Sequence, residues 1–153
     1  MKKYSLPLVL SLTLAACQNR DATDAQPAAV AAGFNQEFSL QYRQQAALPA
    51  TDQVELFVTV ADLDYSFCPP NARCFIADFV ALTLSVRDKQ GQTQQVAMPL
   101  HTTGARNPAW IDTTSVRANG QRYVIYYHRW SVVENVPHPQ KKDITVVLRI
   151  TKP

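Results

Sequence analysis

Three stretches of this sequence alternate apolar and polar residues with period two, and that pattern constrains the fold more than anything else in it. "QVELFVTVA" places Val54, Leu56, Val58 and Val60 on one face, and "FVALTLSVR" does the same with Val80, Leu82, Leu84 and Val86. "DITVVLRIT" repeats the pattern with Ile144, Val146, Leu148 and Ile150. Successive side chains of a strand point to opposite faces, so each run predicts a half-buried strand. The abundance of β-branched residues agrees. No window carries a convincing helical stripe.

Further strands are expected over 37–42, 93–100 and 123–133, and the segments between runs have turn chemistry. "DKQG" ends in Gly91, and "ANGQ" carries Asn119-Gly120, a pair that tolerates the positive φ angles of a tight hairpin. "NVPHPQKK", residues 135–142, is a proline-broken connection before the last strand. About seven short strands in roughly 120 residues, spaced by such turns, predict an all-β antiparallel β-sandwich, with a small β-barrel as the alternative.

The chain opens "MKKYSLPLVLSLTLAACQ". Lys2 and Lys3 precede an apolar stretch at 6–14, too short to span a bilayer, followed by small residues and Cys17. The sequence Leu14-Ala15-Ala16-Cys17 resembles the lipobox of bacterial lipoproteins. The resemblance implies a signal peptide over 1–16 and a diacylglyceryl group on the Cys17 thiol. Cleavage before Cys17 would then leave it as an acylated N-terminus. Two or more acyl chains make a firm anchor, so the expected partner is a membrane reached through lipid. Gln18, in place of an aspartate, resembles the sorting pattern of outer-membrane lipoproteins. The expected location is therefore the cell envelope, lipid-anchored to the outer membrane and facing either the periplasm or the surface.

Residues 17–33 read as the acylated cysteine and a flexible, Ala-rich tether interrupted by Pro27, and residues 34–153 as the sandwich domain. Charge is nearly balanced, with 15 basic against 12 acidic residues, and two of the basic ones leave with the signal. That balance argues against nucleic acid as a partner.

With Cys17 committed to lipid, Cys68 and Cys74 of "CPPNARC" remain as a pair in an oxidising compartment, where paired thiols normally form a disulfide. A redox site would keep two residues between its cysteines, and here there are five. His101, His128 and His138 are scattered, so no metal set is expected. "DLDYSFCPPNARCFIADFVALTLSV" also resembles the central motif of a family of small secreted or lipid-anchored bacterial proteins with no established activity. Their pattern runs D-S-R-C-P and then C-x-W-x-G. Ser66, Cys68, Pro69 and Cys74 match it, whereas Tyr65, Phe67, Ile76 and Asp78 depart from it. The resemblance implies a β-sandwich.

Asp62, Asp64 and Asp78 flank the cysteine loop and read as solvated edge charges rather than a Ca²⁺ site, with Arg73 as a natural ion-pair partner. "RYVIYYHRW" divides its side chains between two faces. Val124, Tyr126, His128 and Trp130 share one face, and Tyr123, Ile125, Tyr127 and Arg129 the other. One face should meet the core. The expected binding surface is an exposed aromatic-cationic face with Tyr123, Tyr127 and Arg129, joined by His101 from the loop at 101–109, suited to an envelope protein or a glycan.

"TTG" in "LHTTGARNPAW" resembles the threonine-glycine loop of chagasin-type cysteine-peptidase inhibitors. The alternative function is therefore peptidase inhibition through loop 101–109. No nucleophile elbow, P-loop or dinucleotide glycine pattern occurs. The expectation is a non-catalytic binding or structural module with no cofactor and no metal.

Overall fold

The computed structural model describes residues 26–69, 71–98 and 109–152. Nine strands run through them: β1 (Val30–Ala31), β2 (Glu37–Gln41), β3 (Gln45–Leu48), β4 (Leu56–Ser66), β5 (Phe79–Asp88), β6 (Thr93–Met98), β7 (Asp112–Ala118), β8 (Gln121–Val132) and β9 (Ile144–Thr151). They form two open sheets, one ordered β1-β3-β4-β5-β6 and the other β2-β9-β8-β7. All pairings are antiparallel except β1 on β3. The domain is a β-sandwich, not a closed barrel.

The three alternating runs behave as their period demands, except that Val54 precedes β4 and is half-buried. Leu56, Val58 and Val60 of β4, Val80, Leu82, Leu84 and Val86 of β5, and Ile144, Val146, Leu148 and Ile150 of β9 are all buried between the sheets. Leu40, Met98, Ile125, Tyr123 and Tyr127 complete the layer. Fully burying an aliphatic side chain contributes about 1.5–3 kcal/mol. The interleaved rows therefore hold the two sheets together.

Three strands fall outside the expected set. β3 is built on small residues, and β7 buries only Val116 and Ala118. β1 lies in the segment read as tether: Val30 and Ala31 pair with Ala46 and Ala47, so the ordered domain begins before residue 34. The expected strand over 93–100 is β6, observed from Thr93 to Met98.

The turns follow their residues. Asn119 and Gly120 adopt φ of 52° and 72°, the left-handed pair a two-residue hairpin needs between β7 and β8. At the β5–β6 turn the Asp88 carboxylate accepts hydrogen bonds from the backbone N–H groups of Gln90 and Gln92, at 2.9 and 2.8 Å. That pairing lets the aspartate sit 6% exposed.

The loop between β4 and β5 is closed by a Cys68–Cys74 disulfide with Cα atoms 5.8 Å apart. The Cys68 N–H also donates to the Asp78 carboxylate at 2.7 Å, which ties the two limbs of the loop together.

Candidate functional site

Strand β8 carries the aromatic segment, and its register decides which side chains reach solvent. Tyr123, Ile125 and Tyr127 are completely buried against the opposite sheet. Tyr123 and Tyr127 are thus core residues, and the expected binding surface cannot include them. Their hydroxyls show why these positions are tyrosine and not phenylalanine. Tyr127 donates to the Val80 carbonyl across the sandwich at 2.9 Å, and Tyr123 donates to the Glu55 carboxylate at 2.9 Å. Burial raises the pKa of both phenols, so they remain protonated donors at neutral pH.

Arg129 nevertheless lies outside, although it has the same parity as the buried tyrosines. The pairing of β8 with β9 steps from Tyr127↔Leu148 to Arg129↔Val147, leaving His128 as the extra residue of a β-bulge. Past the bulge the parity reverses. Arg129 turns out to solvent, while Trp130 and Val132 pack against the core. Phe67 meets Trp130 there, with ring centroids 5.5 Å apart.

An aromatic-cationic cluster does form on β8, but on its opposite face. Register aligns Glu37 of β2, Arg149 of β9, Tyr126 of β8 and Thr113 of β7 in one row across the outer side of the four-stranded sheet. The Arg149 guanidinium lies over the Tyr126 ring, 4.8 Å from its centroid. Trp110, entering from the segment before β7, packs its ring against Tyr126 edge to face at 5.1 Å.

Beside this row the bulge turns both His128 and Arg129 toward Glu37. His128 Nδ1 lies 3.5 Å from one carboxylate oxygen, and Arg129 donates to the other at 3.0 Å. Val147, the register partner of Arg129, is only 7% exposed although it stands outside the core cluster. Two buried polar atoms of this cluster, His128 Nε2 and Arg149 Nε, have no hydrogen-bond partner among the described residues. Buried polar groups are nearly always paired, and two orphans within one cluster mark it out.

The chemistry such a cluster supports is recognition. Trp110 and Tyr126 present apolar ring surface, while the two arginines and Glu37 supply donors and acceptors around it. Alternation alone placed Tyr126 and His128 together on one face of β8. No local sequence signal identified that face as the outer one or added Arg149, Glu37 and Trp110 to it, because those come from other elements through strand register.

The remaining expected sites divide as follows. Cys68 and Cys74 are bonded to each other. Asp62 is ion-paired with Lys141 of the 3₁₀ turn Lys141–Asp143, so that lysine and not Arg73 is its cation. The ion pair, followed by the Leu63 backbone N–H, lowers the Asp62 pKa. Asp62 and Asp64 line a shallow hollow on the outer face of the five-stranded sheet, and Asp78 braces the cysteine loop. Among the described residues no group of three His, Cys, Asp or Glu side chains is placed to hold a metal ion. None of their helices is long and apolar enough to cross a membrane. Cys17, the signal segment 1–16, His101 and the loop at 101–108 lie outside the described residues. Compared with protein-family models, curated proteins and solved structures, the chain matches none.

Proposed function

We propose that this chain is a lipid-anchored envelope protein whose sandwich domain binds a glycan, without catalysis, on the outer face of the four-stranded sheet. Trp110, Tyr126, His128, Arg129 and Arg149 are the contact residues. The observation that supports this reading is the pair of unpartnered buried polar atoms, His128 Nε2 and Arg149 Nε, in a cluster bordered by two aromatic rings. A sugar offers hydroxyls that both donate and accept, and C–H faces that lie against aromatic rings. The half-exposed Trp110 ring is the surface a sugar would meet first, and it would reach the two buried nitrogens by displacing the packing over them. The anchor rests on the lipobox-like Leu14-Ala15-Ala16-Cys17 and its apolar leader.

The glycan reading is tested by titrating the protein with soluble fragments of envelope glycan while following tryptophan fluorescence, because Trp110 packs on Tyr126. Saturable change is expected in the parent protein, with loss of the change in Tyr126→Ala and Arg149→Met. A response that survives both substitutions places the ligand elsewhere, and no response to any fragment rejects a glycan. The anchor is tested by metabolic labelling with a palmitate analogue, which should label the parent chain and not Cys17→Ser.

A further inference from the structure

The disulfide loop exposes what the rest of the domain hides. Phe75 is 109% exposed, Ile76 68% and Phe79 37%, on the limb that follows Cys74. They account for three of the five large hydrophobic residues exposed among the described residues. The loop is held in this shape by three local constraints. The Cys68–Cys74 bond closes it, the Asp78 carboxylate accepts the Cys68 N–H, and the Ala72 N–H donates to the Pro69 carbonyl at 3.1 Å. Phe75 follows directly on the disulfide, so the closed ring limits its retreat toward the sheets. An apolar tip fixed in solvent is organised in advance for an apolar partner.

The route of the N-terminal chain indicates which partner. β1 runs parallel to β3 and antiparallel to β4, with Val30 level with Ala46 and Val58. The residues before it continue along the sheet edge toward the end where β4 enters the cysteine loop. Ala28 lies beside Gln44, whose side-chain amide donates to its carbonyl at 2.8 Å, and Gln44 in turn accepts from the Val60 N–H. From that level to Ser66 is about 20 Å along β4. Nine peptide steps then separate Gln26 from Cys17, a reach of up to roughly 30 Å. The anchored end therefore leaves the domain on the side of the exposed tip, with enough chain to bring both to one surface. Charge does not oppose this: the loop carries only Arg73 and Asp78, and the Asp78 carboxylate is turned to the Cys68 N–H.

We infer that Phe75 and Ile76, at the tip of the disulfide loop, insert into the lipid surface that holds the acylated Cys17. The inference rests on the anchor proposed above. It makes the loop a second, weaker membrane contact that fixes how the domain sits on the bilayer. In this pose the long axis of β4 stands off the lipid surface, and the Trp110–Tyr126 cluster, on the side of the sandwich, stays open to its ligand.

The test uses the full acylated chain carrying Phe75→Trp, on vesicles of phosphatidylethanolamine and phosphatidylglycerol with and without brominated acyl chains. The expected result is that the protein floats with the vesicles and that the emission added at position 75 is blue-shifted and quenched by bromine. The emission of the parent chain, which carries only the native tryptophans, is the reference from which the added emission is taken. Floating protein whose added emission stays red-shifted and unquenched overturns the inference. A blue shift without bromine quenching overturns it in favour of a protein contact.

A chain that does not float refutes the anchor instead. The same variant titrated with millimolar vesicles then decides the tip, because no blue shift at any lipid concentration rejects it. In that titration, adding Ile76→Ser should weaken the partition about tenfold.

Discussion

The Tyr127 hydroxyl, on a strand of the four-stranded sheet, donates to the Val80 carbonyl in the five-stranded sheet at 2.9 Å, inside a layer made mostly of aliphatic side chains. This polar link between the two sheets has a fixed position, whereas apolar contacts tolerate sliding. Tyr127→Phe keeps the ring and removes the donor, leaving a buried acceptor with one partner fewer. The expected loss is about 1–2 kcal/mol, read as a lower denaturation midpoint at unchanged slope. An unchanged midpoint would show that the hydroxyl merely fills space.

A second cross-sheet link predicts a pH dependence. Glu55 accepts from Lys152 at 2.8 Å and from Tyr123 at 2.9 Å, and the Lys152 ammonium holds its pKa below the usual 4.5 despite partial burial. A depressed carboxylate contributes stability that is complete above its unfolded pKa and is lost as pH falls through the folded value. The Lys152 pKa is raised by the same partner, so its share is complete below 10.5 and fades as pH rises through the folded value. Thermal melts across acid pH should therefore fall less steeply in Glu55→Gln than in the parent. Parallel profiles would remove Glu55 from the acid transition.

The disulfide gives a chemical prediction. Under native, non-reducing conditions Cys68 and Cys74 should resist alkylation, and the intact domain should weigh less than the dithiol by the two hydrogens a disulfide loses. Replacing both by serine should destabilise the domain by roughly 2–3 kcal/mol through the freed loop, without changing its far-ultraviolet signature. Recovery of two alkylated thiols from the native domain would disprove the bond.

The bulge at His128 predicts a contrast between two changes on one strand. Inserting one alanine between His128 and Arg129 adds a residue that the bulge does not absorb, which would drive Arg129 toward the core and Trp130 out of it. The expected outcome is loss of cooperative unfolding, since an unpaired buried charge is among the costliest defects. Tyr126→Ala, one pair of residues away but on the outer face, should keep the fold while losing ligand binding. An insertion variant that unfolds as cooperatively as the parent would show that the bulge does not set the parity.

Local sequence determined the elements where one face is unambiguously apolar. β4, β5 and β9 follow from alternation because a strand with one buried face has little choice of orientation. The Asn119-Gly120 and Gly91 turns follow from backbone sterics, and the cysteine pair from counting thiols in a chain whose leader predicts export. β1, β3 and β7 left no such trace. Ala, Gln and Thr bury too little to announce a strand, and those segments pair because a neighbour's edge is available.

Tertiary structure alone decided which face of β8 meets the core. Both faces of that strand carry large side chains, so local alternation is consistent with either orientation. The choice falls to what each face meets: Tyr123 and Tyr127 find Glu55 and Val80 across the sandwich for their hydroxyls, whereas Arg149 and Glu37 meet Tyr126 and His128 only through the register of β9 and β2. A one-residue bulge then reverses the parity within the same strand. Side-chain type can be read along a chain, but the face it occupies is set by long-range pairing, and the candidate site exists only once that pairing is made.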